Sequence, residues 1–233
     1  MSRSLAPTFV RINMALTADG KVASADRQIT TFGSARDARH MYELRTEADA
    51  ILCGARTIEE SHSTLGNGGD GFTRRRLRAG LSRFPLRVVV SGSGSISPAA
   101  ELWGRDYGPI VVVTTDRAPA RRLRWLRENA AAVYVSATRE IDWTVFLAWL
   151  RQEHGAARIL SEGGGVLNDA LIRAGVVDEL HLTWCPLLLG GRTAPTMADG
   201  RGVANLSAAR GFELSRIRRV GAERFLVYRA NVL

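Results

Sequence analysis

The fold is decided by the stretch Ala157-Arg158-Ile159-Leu160-Ser161-Glu162-Gly163-Gly164-Gly165-Val166-Leu167-Asn168. A short apolar strand runs into three consecutive glycines, and the glycines open an apolar helix. A buried strand that leads at once into a helix is the repeating unit of a parallel sheet covered by helices. The stretch therefore predicts an α/β protein with a glycine-rich turn at the carboxyl end of a strand, where open parallel sheets bind ligands.

The same alternation continues on both sides of this stretch. Strands are predicted at residues 9–16, 50–53, 86–90, 110–114, 132–135, 158–160 and 180–185. Helices are predicted at residues 34–47, 119–129, 142–154 and 166–174. An antiparallel pair of strands that closes one sheet edge is predicted over residues 208–220 and 224–231. A long exposed loop is predicted over residues 61–84. We expect a three-layer αβα fold, mostly parallel with a C-terminal antiparallel pair, in one domain over residues 1–233.

The composition is typical of an ordinary soluble globular protein. Of the 233 residues, 45% are hydrophobic and 24% are charged. Apolar runs are all shorter than the roughly 18 residues of a membrane span, and the N-terminus lacks the apolar core of a secretion signal. We expect a cytoplasmic protein in which Cys53 and Cys185, each inside an apolar run, are buried thiols. The four histidines have no ligand spacing, so no metal site is predicted.

The net charge of +9 raises the question of a nucleic-acid partner. Lys21 is the only lysine, so every other basic residue counted in the net charge is an arginine. Such a preference for arginine over lysine is typical of a GC-rich genome, and it raises the net charge even where the protein binds no anionic partner. The densest basic run, Arg74-Arg75-Arg76 with Arg78, has no aromatic ring among its arginines on which bases could stack. We therefore expect no nucleic-acid partner, and we expect the positive field to attract a phosphorylated small molecule.

The glycine triplet predicts a phosphate-binding turn. Glycines let a backbone approach a ligand closely, and the free N–H groups at a helix start attract phosphate oxygens. The dinucleotide fingerprint would need a glycine at position 168, which is Asn168, so a purely structural strand–helix turn stays open at this point. Glu162 stands at the mouth of the turn, where an acid is unfavourable unless it binds a polar substrate group or donates a proton.

Two further segments carry polar groups at strand ends. Asn13 lies inside the first apolar strand, where a buried amide needs partners, and Asp19-Gly20 follows as a turn pair. The helix that ends near Arg45 leads into the second strand and then to Gly54 and Thr57. These last two residues could hold part of a nucleotide or only cap the next helix. Neither a Gly-x-Ser-x-Gly elbow nor a Walker-type loop occurs, so a serine hydrolase or P-loop enzyme is not predicted.

Taken in order, these signals resemble a known family, the pyrimidine reductase domain of riboflavin biosynthesis. This domain also forms the C-terminal half of a bifunctional deaminase–reductase, and it shares the dihydrofolate reductase fold. The matching segments are Ala15-Leu16-Thr17-Ala18-Asp19-Gly20-Lys21, Leu44-Arg45, Ala48-Asp49-Ala50-Ile51-Leu52-Cys53-Gly54, Thr57, Glu162-Gly163-Gly164, Val177-Asp178-Glu179-Leu180 and Pro186-Leu187-Leu188-Leu189-Gly190-Gly191. The deaminase domain is absent from this sequence, so the chain is similar to the stand-alone form of the reductase.

The resemblance implies that NADPH is the cofactor and that a ribosylaminopyrimidine 5′-phosphate is reduced to its ribitylamino form. Implied cofactor residues are Leu16, Thr31, Gly54, Thr57, Gly163, Gly164, Gly165, Val166, Leu167 and Asn168, with the pyrophosphate on residues 164–168. Implied substrate residues are Asn13, Arg45 and Leu65, to which Arg74, Arg75 or Arg76 would add a phosphate contact. Glu162 would polarise or protonate the substrate, with Asp19 nearby as a second catalytic candidate. A homodimer, formed through the C-terminal strands, is also expected.

The sequence departs from the family pattern after Thr57. There the family has an Asp-Asn/Asp-Pro-x-Leu-Thr-x-Arg segment whose arginine meets the substrate phosphate, and this chain has Ser61-His62-Ser63-Thr64-Leu65-Gly66-Asn67. Two alternatives follow from this difference. The first is a reductase of the same fold that acts on dihydrofolate or a specialised metabolite, and the second is a non-catalytic NADP-binding protein.

Overall fold

Nine strands and six α-helices make up most of the regular structure in residues 8–27 and 32–231, which are the residues that the computed structural model describes. The strands are β1 Phe9–Thr17, β2 Ala50–Gly54, β3 Leu86–Val90, β4 Ile110–Thr115, β5 Ala132–Ser136, β6 Arg158–Ser161, β7 Glu179–Cys185, β8 Phe212–Val220 and β9 Glu223–Ala230. The helices are α1 Ala35–Glu47, α2 Ala55–Ser61, α3 Asp70–Arg78, α4 Ala120–Asn129, α5 Trp143–His154 and α6 Gly165–Arg173. A short 3-10 helix spans Leu206–Ala208.

The strands form one sheet in the order β5-β4-β3-β2-β6-β1-β7-β9-β8. From β5 to β7 all neighbours are parallel, and β9 pairs antiparallel with both β7 and β8. This arrangement confirms the predicted mostly parallel sheet with a C-terminal antiparallel pair. Strands β2, β3 and β4 are buried on both faces, which explains why they appear in the sequence as continuous apolar runs.

The two faces of the sheet carry separate apolar cores. Successive side chains of a strand point to opposite faces, so Leu52 packs with Phe146 of α5 and Leu171 of α6, while Ile51 packs with Leu126 of α4. Helices therefore cover both faces, as the three-layer prediction requires. None of the helices in the described part of the chain is long and apolar enough to cross a membrane.

The segment 61–84 is not the exposed loop that its glycines and arginines predicted. It contains the helix α3, and Leu65, Asn67 and Thr73 within it are buried. The side-chain amide of Asn67 donates to the Thr73 hydroxyl at 2.8 Å, which ties the start of the segment to α3. The prediction failed because a nine-residue helix of this composition depends on tertiary contacts more than on its own propensity.

Arg76 supplies the strongest of those contacts. Its side chain is fully buried, and its guanidinium donates to the carbonyl oxygens of Arg45 at 2.7 Å and Ala48 at 2.6 Å. These carbonyls lie at the C-terminal end of α1, where the last turn has no helical partners and a cation is favoured. A further donation to the Ser82 carbonyl at 3.0 Å closes the loop after α3. Arg76 therefore fastens α3 and its following loop to the end of α1.

Candidate functional site

One large cavity lies at the carboxyl ends of the parallel strands. Its volume is about 1780 Å³, well above the ~300–1,000 Å³ of a typical single-ligand pocket. Lining residues at or next to the ends of β2, β3 and β4 are Gly54, Ser91 and Thr115, and Asn13 lines the cavity from the middle of β1. Because the sheet brings these ends to one edge, segments far apart in the sequence meet around a single space, with room for two ligands side by side.

The glycine triplet forms one wall of this cavity, between β6 and α6. Gly163 has a φ of +89°, and its carbonyl accepts a hydrogen bond from the Gly54 N–H at 2.8 Å. Gly164 is the N-cap of α6 and offers no side chain to the free N–H groups of the first turn. A Cβ on Gly164 would stand 2.8 Å from the Thr57 hydroxyl oxygen. The turn therefore presents bare backbone N–H groups and a helix N-terminus to the cavity.

A buried ion pair lines the cavity next to the glycine turn, because Glu162 directly precedes Gly163. Arg45 of α1 donates from Nε to one Glu162 carboxylate oxygen at 2.6 Å and from Nη2 to the other at 2.5 Å. Its remaining nitrogen donates to the Gly66 carbonyl, and its guanidinium carbon lies 5.4 Å from the centre of the Tyr42 ring. Burial acts to lower the pKa of Arg45, but the charge of Glu162 and the hydrogen bonds to it outweigh burial and raise this pKa. Such a bidentate pair is geometrically rigid.

This geometry bears on the expected catalytic role of Glu162. Both carboxylate oxygens are bonded to one guanidinium, and the pair is almost fully buried, with side-chain exposures of 6% for Arg45 and 10% for Glu162. Both carboxylate oxygens of Glu162 are thus held in place as hydrogen-bond acceptors of one guanidinium. Glu162 and Arg45 both line the cavity beside Asn13 and Leu65, so the structure brings together the four substrate-side residues that lie in these motifs.

The expected cofactor residues differ in where the structure places them. Lining the cavity are Gly54, Thr57, Gly164, Gly165, Val166 and Leu167. Gly163 and Asn168 support the turn from behind, and the fully buried Asn168 amide accepts from Ser161 at 3.1 Å and donates to Met197 at 3.0 Å. Leu16 is a core residue outside the cavity lining. Thr31 lies outside the described residues.

Asp19 does not reach the cavity. Its carboxylate accepts from the Thr17 hydroxyl at 2.6 Å and from the backbone N–H groups of Leu189 at 3.2 Å and Gly190 at 2.7 Å. The hydrogen bond from Thr17 first, and then that from Gly190, lower the pKa of Asp19 to about 2. The interpretation of Asp19 as a catalytic group is therefore corrected, because an ionised carboxylate that binds a loop backbone serves as a structural anchor.

The arginine cluster is also placed elsewhere. Arg76 is fully buried, is bound to the end of α1 by backbone carbonyls and does not line the cavity, which corrects its expected phosphate role. Arg74 and Arg75 are exposed on α3 and do not line the cavity, and Arg75 lies 4.0 Å from Glu43. The run of arginines at positions 74–76 wrongly suggested one phosphate-binding cluster, because consecutive residues of a helix point in different directions from its axis.

Sequence reasoning missed several groups that do line the cavity. Arginines around it are Arg27, Arg56, Arg83, Arg117, Arg139, Arg173 and Arg192. On α1, Asp37 and Met41 precede Arg45 at a spacing of four, which places all three along one face of the helix, toward the cavity. This spacing was the available signal for Asp37. Within the described part of the chain, no group of His, Cys, Asp and Glu side chains is arranged to hold a metal ion.

Comparisons with known proteins agree with this fold. The family model of the RibD C-terminal domain matches residues 8–225. A protein of Methanothermobacter thermautotrophicus named 2,5-diamino-6-ribosylamino-4(3H)-pyrimidinone 5′-phosphate reductase is 33% identical over 220 residues, which cover 94% of this chain and 97% of that protein.

Solved structures show the same architecture. A pyrimidine reductase-like protein of Corynebacterium diphtheriae superposes with a TM-score of 0.80 at 21% identity, covering 97% of this chain and 92% of the other. Dihydrofolate reductase of Enterococcus faecalis, solved in complex with NADP(H), superposes with a TM-score of 0.50 at 12% identity, covering 96% and 97%. The fold is thus that of dihydrofolate reductase, and the chain belongs to the RibD C-terminal domain family.

Proposed function

We propose that this protein is an NADPH-dependent reductase of riboflavin biosynthesis that converts a ribosylaminopyrimidine 5′-phosphate to its ribitylamino form. The observation that carries the proposal is a large cavity whose lining includes the bare glycine turn of α6 and the buried Arg45–Glu162 pair. Membership of the RibD C-terminal domain family and the name of the Methanothermobacter relative support the choice of substrate.

The glycine turn fits the pyrophosphate of NADPH. Gly164 has no side chain at the N-cap of α6, so a ligand phosphate can approach the backbone there, and the α6 N-terminus favours its negative charge. Arg45 and Glu162 would line the space for the reacting end of the cofactor, and Ser91 and Arg117, which line the cavity after β3 and β4, would hold its adenosine end. When bound, the cofactor supplies the hydride, and the protein supplies orientation and charge.

The substrate side is proposed to be the space between Asn13, Leu65 and the Arg45–Glu162 pair. The Glu162 carboxylate keeps free lone pairs that can accept N–H groups of an aminopyrimidine, and the Asn13 amide can donate as well as accept. Because Arg45 is already neutralised by Glu162, it orients the carboxylate and adds no net charge to the wall. Holding the substrate in one orientation is the contribution that these residues can make to the rate.

The direct test follows NADPH absorbance with purified protein and the ribosylaminopyrimidine phosphate, with dihydrofolate as the control substrate. Oxidation with the pyrimidine and not with dihydrofolate is the expected result. Oxidation with dihydrofolate alone would assign the site to another substrate. Binding of NADPH without oxidation in either case would favour a non-catalytic NADP-binding protein.

We also propose that the protein is a homodimer that forms through β8. This nine-residue edge strand is exposed along most of its length, and its Leu214 and Ile217 side chains are 50% and 58% exposed. The β-bulge between Leu214 and Arg216 puts Leu214 opposite Tyr228 and Ile217 opposite Leu226, so the two apolar side chains share a face. A second copy is the occupant proposed for that face.

A single reductase domain over residues 1–233 and action in the cytoplasm complete the proposal. One continuous sheet runs through the described residues, which supports a single domain. Cys53 and Cys185 are buried free thiols, as the sequence predicted, and free thiols are typical of a reducing compartment.

A further inference from the structure

The connection between α3 and β3 brings an arginine to the cavity. Arg83 lies in this connection, and it lines the cavity together with its neighbour Phe84. Two buried side chains hold the backbone here: the Asn67 amide donates to the Arg83 carbonyl at 3.2 Å, and the Arg76 guanidinium donates to the Ser82 carbonyl at 3.0 Å. The backbone at Arg83 is therefore fixed, although the residue itself is exposed.

The Arg83 guanidinium is free to bind an anion. Its central carbon lies 5.4 Å from the centre of the Phe84 ring. A guanidinium that stacks on a ring through its flat face keeps the N–H groups at its edge as donors for a ligand. Within the described part of the chain, no carboxylate forms a salt bridge with Arg83.

The segment 66–69 beside Arg83 has no charged side chain of its own. Gly68 has a φ of +84°, and a Cβ on it would stand 2.4 Å from the Tyr42 ring. A Cβ on Gly66 would likewise stand 2.9 Å from the Tyr107 ring. Asn67 between them is neutral and buried. A positive charge in this part of the cavity must therefore come from a neighbouring segment.

A chain of hydrogen bonds connects Arg83 with the Arg45–Glu162 pair. Arg45 donates to Glu162 at 2.6 Å and also to the Gly66 carbonyl. The next residue, Asn67, donates to the Arg83 carbonyl. Glu162, Arg45, Gly66, Asn67 and Arg83 all line the cavity. A substrate that lies against Glu162 can therefore extend along this wall to Arg83.

The other arginines of the cavity belong to other parts of it. They follow the ends of β1, β4, β5 and β7 or lie on α2 and α6, and they are Arg27, Arg117, Arg139, Arg192, Arg56 and Arg173, respectively. Among the cavity arginines and within the described residues, Arg83 is the one that is hydrogen-bonded to the segment 66–69. It is therefore the cation of the substrate side.

We propose that Arg83 binds the phosphate group of the substrate, an inference that rests on the proposed function. The planar fork of a guanidinium matches two oxygens of a phosphate, and both hydrogen bonds are strengthened by charge. Asp70, the first residue of α3, also lines the cavity next to the segment 66–69, so an anion there needs a cation to offset this carboxylate. Arg83 supplies that charge, which the arginines at positions 74–76 do not bring to the cavity.

The first test compares two substrates, the ribosylaminopyrimidine 5′-phosphate and the same compound without its phosphate. R83M keeps an apolar side chain against Phe84 and removes the charge and the donors. We expect R83M to raise KM for the phosphate ester about 10- to 100-fold, the range given by losing hydrogen bonds to a charged group. The kcat for the ester should stay within threefold, and kcat/KM for the unphosphorylated compound within twofold. R83K keeps the charge without the fork and should fall between R83M and wild type.

The second test measures binding without turnover. Calorimetric titration of ribose 5-phosphate into the NADP⁺-saturated protein should show an affinity at least 10-fold lower in R83M, with NADPH affinity within twofold of wild type. The matched control is R74M, which removes an exposed arginine of α3 outside the cavity lining and should match wild type in every measurement. Added KCl should raise KM for the ester in wild type, because salt screens the charge of Arg83, and should raise it less in R83M.

Each of three results would overturn the assignment: a wild-type KM for the ester in R83M, an equal loss with the ester and the unphosphorylated compound, or an unchanged affinity for ribose 5-phosphate. The equal loss would indicate a structural role, and thermal unfolding of R83M and R83K would show it directly. A wild-type protein that reduces neither pyrimidine would instead contradict the proposed function. The affinity of R83M for ribose 5-phosphate would still decide the role of Arg83, so the two failures are distinguishable.

Discussion

Arg76 is a residue whose role is structural although its sequence context suggested ligand binding. Its guanidinium satisfies the Arg45 and Ala48 carbonyls at the end of α1 and the Ser82 carbonyl after α3. Burial lowers its pKa to about 10, so the side chain stays protonated at neutral pH and keeps all its donors. Because Arg45 belongs to the active-site wall, Arg76 also fixes the position of that wall from behind.

We therefore predict that R76M destabilises the protein far more than R74M. Losing the buried guanidinium leaves several carbonyls without donors, and each orphaned group costs roughly 1–3 kcal/mol, so the expected loss is about 3 kcal/mol or more. Arg74 is exposed on the same helix, and R74M should stay within about 0.5 kcal/mol of wild type. Urea unfolding monitored by circular dichroism measures both. Equal stability of the two variants would refute the anchoring role.

At the scale of elements, the α6 N-terminus is predicted to hold the cofactor through bare backbone. In G164A the new methyl group would stand 2.8 Å from the Thr57 hydroxyl oxygen, at the turn where we expect the pyrophosphate. NADPH affinity should fall at least 10-fold in a fluorescence titration. The matched control is G71A, since Gly71 lies in the first turn of α3 with nothing near its Cβ position. An unchanged NADPH affinity in G164A would place the pyrophosphate elsewhere.

The elements were predictable where hydrophobic pattern alone determines them. The strands β1 to β7 and the helices α1, α4, α5 and α6 differ from the prediction by one residue or less at each end. Residues 34, 119 and 142, which the sequence assigned to helix starts, are the N-caps of α1, α4 and α5. The helix α3 escaped prediction because its stability comes from Arg76 and Asn67, whose partners are distant in the sequence.

Part of the candidate site was also predictable from the hydrophobic pattern. Glu162, Arg45 and the glycine turn stand at the ends of apolar runs, so their place at one sheet edge follows from the strand pattern. Asp37 did not stand out, because an acid three residues after Ser34 predicts a capping box. Only the folded chain brings Glu223 from the C-terminal strands to Ser34 and turns Asp37 toward the cavity.

At the scale of the whole molecule, the exposed edge strand predicts a homodimer that a single charge can disrupt. Ile217 is 58% exposed on β8, and I217K would place an ammonium group in the proposed interface. Sedimentation velocity should show a dimer for wild type and a monomer for I217K. The control V145K introduces the same charge at a 54% exposed position on α5 and should remain dimeric. A monomeric wild type would contradict the proposed dimer interface at β8.

The proposed reaction is the reduction, in this cavity, of the sugar carbon of a ribosylaminopyrimidine phosphate by hydride from NADPH. The most direct measurement uses NADPH deuterated at the nicotinamide C4 position, with mass spectrometry and NMR of the product. We expect a ribitylamino product that carries one deuterium at C1′, with an equivalent amount of cofactor oxidised. A product without deuterium, or deuterium at another carbon, would contradict it.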